Sequence, residues 1–322
     1  MADATPPQPD ASTATSGGAK TPLVFNLRKL ARKVYRLIVQ PRVVRQDRIV
    51  VVDDAERCTN PVFLIGLHRS GTTLVRQIVD SHPSIACPPE SYFLLHLAKA
   101  YEDENYAIGL GYMGFDPDAV RTQLARYAGF HYEAYRKSKD KPRWADKTPD
   151  YVQCLPFLQT LFGDETKFVL IYRHPFDIVN SLLSKKWRIA EHHDDPFENY
   201  LAYAADGLAK MRSFEAEHPD RCYALRYERL MQDPEPVLRE AFEFLGEPWD
   251  PCVLRFNDKQ HDMGVGDSEA QVFRTFRPSV NNWAHWTEAM RQRGRAVLGE
   301  HLDALGYPSA PESAPEAAGS AS

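Results

Sequence analysis

A short apolar run followed by a glycine-bracketed turn constrains the fold more than any other part of this sequence. Residues 61–65 are Pro-Val-Phe-Leu-Ile, a run that predicts a buried β-strand. Gly66 and Gly71 enclose the next turn, and from Thr72 onward apolar residues recur at helical spacing. A helix that opens on glycine, serine and threonine leaves backbone N–H groups facing outward, where an anion completes their hydrogen bonds. The segment therefore predicts an α/β fold with a phosphate-binding loop.

This loop differs from that of the nucleoside triphosphatases at one position. Gly66 and Gly71 keep the spacing of the motif G-x-x-x-x-G-K-[ST], but Thr72 stands where the motif has lysine. An arginine, Arg69, lies inside the loop. We therefore expect the loop to bind a phosphate-like group without a lysine that reaches toward a γ-phosphate.

A second pattern that indicates anion binding follows residues 167–172, an apolar run that predicts another strand. Arg173 comes directly after this run, Pro175 suits the first turn of a helix, and Ser181 lies on that helix. Ligands bind at the C-terminal ends of strands in open α/β sheets, and arginine matches the geometry of phosphate. A structural ion pair with Asp177 or another carboxylate explains Arg173 equally well by itself, but the phosphate loop upstream favours anion binding.

The composition and the terminal segments predict one cytoplasmic domain. The 322 residues include 39 Lys+Arg and 44 Asp+Glu, and the net charge of −5 argues against a general nucleic-acid binder. Five scattered cysteines form no C-x-x-C pair, which indicates reduced thiols rather than a disulfide scaffold or a zinc site. The sequence shows no export signal and no run of membrane-spanning length. We expect disordered tails at 1–21 and 308–322, a basic amphipathic helical segment at 22–54 and one domain at 55–307.

The basic segment allows two interpretations. Within residues 27–38, apolar residues form one stripe of a helix, and five lysines and arginines cover the other face. Such a helix either contacts an anionic membrane surface peripherally or packs on the domain. Packing on the domain is the commoner case.

Strand patterns alternate with helical patterns along the domain. We predict strands at 62–66, near 84–87, and at 143–146, 167–172 and 222–227, and helices at 72–81, 91–101, 117–136, 149–162, 175–187, 197–217, 235–245 and 285–304. This alternation predicts a parallel sheet covered by helices. We assign no functional role to two charged stretches. Residues 102–104 are interpreted as a solvated helix end, and residues 192–195 as a polar loop rather than a metal site.

The two anion-binding patterns together resemble those of the sulfotransferases that use 3′-phosphoadenosine 5′-phosphosulfate (PAPS). The family's 5′-phosphosulfate loop is similar to residues 69–73, and its 3′-phosphate motif to Arg173-x-Pro175-x-Asp177-x-x-x-Ser181. The resemblance spans residues 61–307, and within the family the chain most resembles the branch that includes tyrosylprotein sulfotransferases. It implies a P-loop-like three-layer fold, with a central parallel sheet flanked by helices.

The resemblance also implies roles for individual residues. The 5′-phosphosulfate would be held by Arg69, Ser70, Gly71, Thr72 and Thr73, the 3′-phosphate by Arg173 and Ser181, and the nucleotide contacted by Tyr227. Glu90 would be the general base, and Lys147 would stabilise charge on the oxygen that bridges sulfur and phosphorus. Ser268 would belong to a late loop, 264–282, that closes over the donor. The resemblance requires no metal.

Three of these residues have other interpretations from the sequence alone. Glu90 is an equally good cap for the helix at 91–101, Lys147 fits an exposed lysine near a helix start, and Tyr227 fits a half-buried core position. His68, inside the phosphate loop, is the alternative base if Glu90 is not one.

We therefore expect in-line transfer of a sulfuryl group from PAPS to an acceptor hydroxyl on a small molecule, lipid, glycan or peptide. The alternatives are a P-loop phosphotransferase, which needs the missing lysine and an acidic metal ligand, and a nucleotide-binding protein without catalysis. The oligomeric state stays open. Eight aromatic residues fit either an acceptor pocket or ordinary core packing: Tyr101, Tyr106, Tyr112, Phe115, Tyr127, Phe130, Tyr132 and Tyr135.

Overall fold

The computed structural model describes residues 58–189, 193–262, 264, 276 and 278–310. The predicted N-terminal tail, the basic segment at 22–54 and residues 311–322 lie outside these ranges. The described residues all belong to one compact unit of the chain, residues 50–322. Among the described helices, none combines the length and the apolar character needed to cross a membrane.

Five parallel strands form the central sheet in the order β2-β3-β1-β4-β5. Their bounds are Val62–Ile65 (β1), Ile85–Ala86 (β2), Arg143–Asp146 (β3), Lys167–Tyr172 (β4) and Cys222–Arg226 (β5). The central strand β1 pairs with β3 on one side and with β4 on the other, so that Val62 lies beside Ala145 and Lys167. All five predicted strands are confirmed: β1 to β4 are buried almost throughout, and β5 lies at the edge of the sheet with Leu225 buried.

The helices and short 3-10 turns of the described chain connect these strands. The helices are Thr72–Ser81 (α1), Phe93–Glu102 (α2), Glu104–Tyr112 (α3), Pro117–Ser138 (α4), Leu155–Phe162 (α5), Pro175–Lys185 (α6), Pro196–Glu217 (α7), Tyr227–Gln232 (α8), Pro234–Leu245 (α9) and Glu288–Ala304 (α10). The 3-10 turns are Pro149–Cys154, Pro219–Arg221 and Pro251–Asp258.

Hydrophobic residues on the two faces of the sheet form two separate cores. Phe63 and Ile65 of β1 pack on one side with residues of α5, α6, α7 and α10, whereas Val62 and Leu64 pack on the other with α1, α8 and α9. Successive side chains of a strand point to opposite faces, so a central strand covered on both sides is apolar throughout. The predicted three-layer fold is confirmed.

The structure differs from the predicted helices in three places. The predicted helix at 149–162 is a 3-10 turn followed by α5, and neither α3 nor α8 was predicted. Helix α3 contains no buried residue, and its apolar residues do not form a stripe along one face. Helix α8 has only six residues, too few to show a helical period. The stretch 102–104, predicted as a solvated helix end, joins two helices, and Asp103 caps the second by accepting a hydrogen bond from the Tyr106 N–H (3.0 Å).

Candidate active site

The loop between β1 and α1 is closed by its own hydrogen bonds. The Ser70 N–H and hydroxyl both donate to the Leu67 carbonyl oxygen, at 3.1 and 2.8 Å. Arg69 and Gly71 adopt left-handed backbone conformations, with φ of 71° and 97°. Helix α1 then begins at Thr72 with no side chain capping its first N–H groups and no acidic residue in its first turn. Because these donors lack an acidic or capping side chain, the loop fits an anion.

Gly71 lies against Tyr227 at the end of β5. A Cβ atom at residue 71 would lie 2.6 Å from Tyr227 Cδ2, closer than real side-chain contacts allow. Tyr227 is buried, and burial raises the pKa of its hydroxyl. The loop therefore requires glycine at position 71 both for its backbone conformation and for this contact.

The guanidinium of Arg173 connects the loop to a second segment of the site. Its Nη1 donates to the Arg69 carbonyl oxygen (2.6 Å), and its Nη2 donates to the carbonyl and hydroxyl oxygens of Ser279. Its Nε is buried and has no hydrogen-bond partner among the described residues. An unpaired buried donor is costly, so this nitrogen is well suited to an anionic ligand.

The alternative interpretation of Arg173, an ion pair with Asp177, is wrong for this structure. Asp177 instead accepts hydrogen bonds from the backbone N–H groups of Asn281 (3.0 Å) and Asn282 (2.7 Å). Asp177 therefore orders the segment that contacts Arg173.

The two predicted anion sites are in direct contact. Arg69 Nε donates to the Ser181 hydroxyl oxygen (3.1 Å), so a side chain from the first pattern meets one from the second. The Arg69 guanidinium also lies 5.3 Å from the ring centre of Trp187. The structure thus brings Arg69, Arg173 and Ser181 to the same end of the sheet.

Glu90 and Lys147 form a buried ion pair beside the loop. Lys147 follows β3, its side chain is fully buried, and its Nζ donates to Glu90 Oε1 and to Thr73 Oγ1 (3.4 Å). The hydroxyl of Tyr92 donates to the other carboxylate oxygen, Oε2. The exposed-lysine interpretation of Lys147 is therefore wrong. Glu90 is also not the cap of α2, because that helix begins at Phe93 and Tyr92 occupies the capping position.

A buried network behind this pair was missed by the sequence reasoning. Asp146, fully buried, accepts hydrogen bonds from Thr148 Oγ1 (2.9 Å) and from the Tyr132 hydroxyl (3.2 Å). Burial raises the pKa of the Asp146 carboxyl to about 6, although hydrogen bonds to it act in the opposite direction. Ser91 links the two sides, because its N–H donates to Thr148 Oγ1 (3.1 Å) and its hydroxyl is 3.0 Å from that of Tyr132. The network fixes the segment next to Glu90 against the end of β3.

A cavity of about 820 Å³ opens beside the ion pair, with His68 and Tyr92 in its wall. The His68 N–H donates to the Tyr203 hydroxyl (3.1 Å), and its Nε2 is hydrogen-bonded to Asp150 (3.3 Å). Both Tyr203 and Asp150 also line this cavity. His68 thus faces the same space as the side chain that contacts Glu90.

The aromatic residues predicted for an acceptor pocket lie elsewhere. Tyr132 is part of the core, where it stacks on Trp144 with ring centres 4.1 Å apart, and Tyr112 is 90% exposed. The aromatic lining of the cavity comes instead from Tyr92, Trp187 and Tyr203. No periodicity marked these three residues, which the fold brings together from separate segments.

Other sequence-based candidates have different outcomes. Ser268, Gln271, Arg274 and Arg277 lie outside the described residues, so the predicted role of Ser268 stays a prediction. Asp195, from the stretch interpreted as a polar loop, caps α7 by accepting from the Glu198 N–H (2.9 Å). Within the described ranges, no group of three or more His, Cys, Asp or Glu side chains has the arrangement of a metal site.

Comparison with known proteins identifies the family. Residues 61–251 match a family model described as "Sulfotransferase family", and this match covers more than half of the chain. The chain belongs to the sulfotransferase family. The predicted enzyme class is thereby confirmed.

Relatives of this sulfotransferase include proteins of the predicted branch. It is 26% identical to protein-tyrosine sulfotransferase 1 of Danio rerio over 76% of its own length and 72% of the relative's. It is 24% identical to protein-tyrosine sulfotransferase of Drosophila melanogaster over 76% of its own length, but this alignment spans only 51% of the fly protein. The predicted resemblance to this branch is confirmed.

Solved structures support the fold of this sulfotransferase. The sulfotransferase domain from the Synechococcus PCC 7002 olefin synthase aligns with a TM-score of 0.57 and 20% identity, over 77% of this chain and 95% of that domain. The sulfotransferase domain from the curacin biosynthetic pathway aligns with a TM-score of 0.55 and 20% identity, over 78% and 99% of the two chains.

Proposed function

We propose that this sulfotransferase moves a sulfuryl group from PAPS to an acceptor hydroxyl, with Glu90 as the general base. One observation carries the proposal: a fully buried lysine, Lys147, contacts both Glu90 and Thr73 of the loop. This contact puts a proton acceptor, a fixed positive charge and an anion-binding loop within hydrogen-bond reach of each other. Proton removal, charge stabilisation and donor binding are the three requirements of the reaction.

Residues of the loop and of α6 bind the donor in this proposal. The backbone N–H groups and side chains of residues 69–73 hold the 5′-phosphosulfate. Arg173 and Ser181 hold the 3′-phosphate, for which the unpaired Arg173 Nε is a ready donor. Tyr227, which packs against Gly71 and lies 4.7 Å from the Arg173 guanidinium, contacts the nucleotide.

The chemical step balances with these residues. The acceptor oxygen forms a bond to sulfur, and its proton passes to the Glu90 carboxylate. The bond between sulfur and the bridging oxygen breaks, and its electron pair stays on the phosphate oxygen of the product 3′-phosphoadenosine 5′-phosphate (PAP). Lys147 stabilises the charge that develops on this oxygen, an effect worth ~3 kcal/mol for a single well-placed donor.

The first experiment is calorimetric titration of the protein with PAP in the presence of EDTA. We expect tight binding to the unmodified protein and to Glu90→Gln, and weak binding to Arg173→Ala. Arg295→Ala is the matched control, because Arg295 is a half-exposed arginine on α10 whose contact with Asp303 is long (3.4 Å). Preference for ATP with magnesium over PAP would contradict the proposal and favour a phosphotransferase.

Turnover separates catalysis from binding. With PAPS and a panel of phenols, alcohols and tyrosine peptides, we expect Glu90→Gln and Lys147→Ala to reduce kcat by about 10²–10³-fold. Binding of PAP by Glu90→Gln should remain. PAP binding by the unmodified protein without turnover of any acceptor would instead indicate a nucleotide-binding protein.

A further inference from the structure

The cavity beside Glu90 is positioned to hold the acceptor. Tyr92 lines it and donates a hydrogen bond to Glu90, and His68 lines it from within the donor loop. Trp187 forms another part of the wall, and the Arg69 guanidinium lies against its ring. A molecule in this cavity would therefore contact Tyr92, which binds the proposed base, and His68 and Trp187 on the side of the proposed donor site.

The charged lining of the cavity is predominantly positive. Four cationic side chains line it, Lys99, Lys185, Lys186 and Arg188, against one carboxylate, Asp150. A hydrogen bond from His68 lowers the pKa of Asp150, which is therefore ionised and already engaged at neutral pH.

This concentration of positive charge contrasts with the rest of the molecule. The chain as a whole carries a net charge of −5. Among the described residues, Lys186 and Arg188 form no ion pair with a carboxylate, whereas the charge of Lys99 acts on Asp150. Cations with no carboxylate partner around a concave site attract anions and raise their local concentration.

The remaining lining of the cavity is apolar. Tyr92, Leu95, Trp187, Ile189 and Tyr203 provide three aromatic and two aliphatic side chains. The volume of about 820 Å³ lies within the range of pockets that hold small organic ligands. An apolar floor with cations on the rim fits a ligand that has both an apolar body and a negative group.

We propose that the acceptor is a small hydroxyl compound with an aromatic or other apolar body and an anionic group. The body packs on Trp187 and Tyr203, and Lys186 and Arg188 bind the anionic group, a carboxylate, phosphate or sulfate. The acceptor hydroxyl then faces Glu90. This inference rests on the sulfuryl transfer proposed above.

The test compares matched ligands on the protein saturated with PAP. The probes are 3-(4-hydroxyphenyl)propionate, its methyl ester and tyramine, which are a phenolic acid, a neutral phenol and a cationic phenol. By calorimetry, we expect the acid to bind roughly tenfold more tightly than the ester, and tyramine to bind least. The phosphate and sulfate esters of 4-hydroxybenzyl alcohol then show which anionic group the rim prefers.

Charge reversal tests whether Lys186 and Arg188 cause the preference for the anionic probe. In the double variant Lys186→Glu/Arg188→Glu, we expect the preference for the acid to disappear and that for tyramine to rise, with PAP affinity unchanged. Arg295→Glu, a charge reversal on α10 outside the cavity, should keep the preference of the unmodified protein.

The outcomes separate this inference from the proposed function. Absence of PAP binding to the unmodified protein would contradict the sulfuryl transfer itself. PAP binding combined with equal affinity for acid and ester, or with no binding of any probe, would overturn only the inference about the acceptor. Tighter binding of a pentapeptide with a central tyrosine and four glutamates than of the acid would overturn the small-molecule acceptor in favour of a peptide.

Discussion

At the residue scale, the burial of the Asp146 carboxyl beside the candidate site lowers the stability of the folded protein at neutral pH. Its carboxyl is fully buried next to Lys147, and burial raises its pKa to about 6 from the ordinary value of 3.8. A carboxyl with a raised pKa in the folded state binds its proton more tightly there than in the unfolded chain. Its contribution to stability is therefore fully present below pH 4 and is lost as the pH rises through 6.

We predict that Asp146→Asn becomes more stable relative to the unmodified protein as the pH rises. The asparagine does not titrate, so the difference in free energy of unfolding should shift by about 2 kcal/mol between pH 4 and pH 7.5. Urea denaturation across this range measures it. Asp150→Asn is the control that should change little over this range, because the hydrogen bond from His68 lowers the pKa of Asp150 and so places its titration below pH 4. A difference that is independent of pH for Asp146→Asn would contradict the prediction.

At the scale of elements, the loop between β1 and α1 depends on a contact with Tyr227, the first residue of α8, that no local pattern indicates. Gly71 and Tyr227 are far apart in the sequence but touch in the fold. The sequence motif did predict the loop, its glycines and its helix, because these follow from local spacing. The partner of Gly71 could not be predicted, since it depends on how β4 and β5 pair.

We predict that Gly71→Ala weakens PAP binding by at least about tenfold, through strain of about 1–2 kcal/mol and the clash with Tyr227. Calorimetry with PAP measures the loss. Gly163→Ala is the matched control, because Gly163 also has a positive φ (79°) but open space around its Cβ position. It should lose folding stability and keep PAP affinity. Equal PAP affinities for the two variants would show that the Tyr227 contact is unimportant.

A second prediction at this scale concerns the packing of α7 on Leu67, a residue of the loop between β1 and α1. A Cβ atom at Gly207 would clash with Leu67 Cδ2. We expect Gly207→Ala to reduce the free energy of unfolding by about 1–3 kcal/mol because the core is overpacked. Gly109→Ala on α3, where no atom lies near the Cβ position, should instead gain up to about 1 kcal/mol. Urea denaturation measures the free energy of unfolding of both variants. Stabilisation by Gly207→Ala as well would contradict this reasoning.

At the scale of the whole molecule, the elements that could be predicted from the sequence were mostly those with buried side chains. Four of the five predicted strands are buried almost throughout, and β1 is apolar at all four positions, whereas the edge strand β5 has one buried residue, Leu225. Helix α3 was missed because all of its side chains lie at least partly in solvent. The separate roles of Glu90 and Lys147 were inferred from the family resemblance, but their ion pair and the cations and aromatics of the cavity come from segments that only the fold brings together.

Burial also predicts which parts of the molecule respond to the donor product. At a PAP concentration of 100 times the Kd, ligand binding stabilises the folded state by about 2.7 kcal/mol. We expect the amides of β1 and β4, which are buried in the centre of the sheet, to exchange by global unfolding and therefore about 100-fold more slowly with PAP bound. Amides of α3 should be unaffected. Hydrogen exchange measured by mass spectrometry tests this, and uniform protection of α3 and β1 would contradict it.

The bridge formed by Arg173 has a consequence for inhibition. One guanidinium holds the carbonyl of Arg69 in the loop and that of Ser279 in the segment that Asp177 orders. A compound that engages both proposed phosphate positions loses translational and rotational freedom once, whereas two fragments that each engage one position must each lose it. Linked bisphosphates should therefore exceed the summed binding energies of their halves, and fragment screens against either position alone will underrate this site.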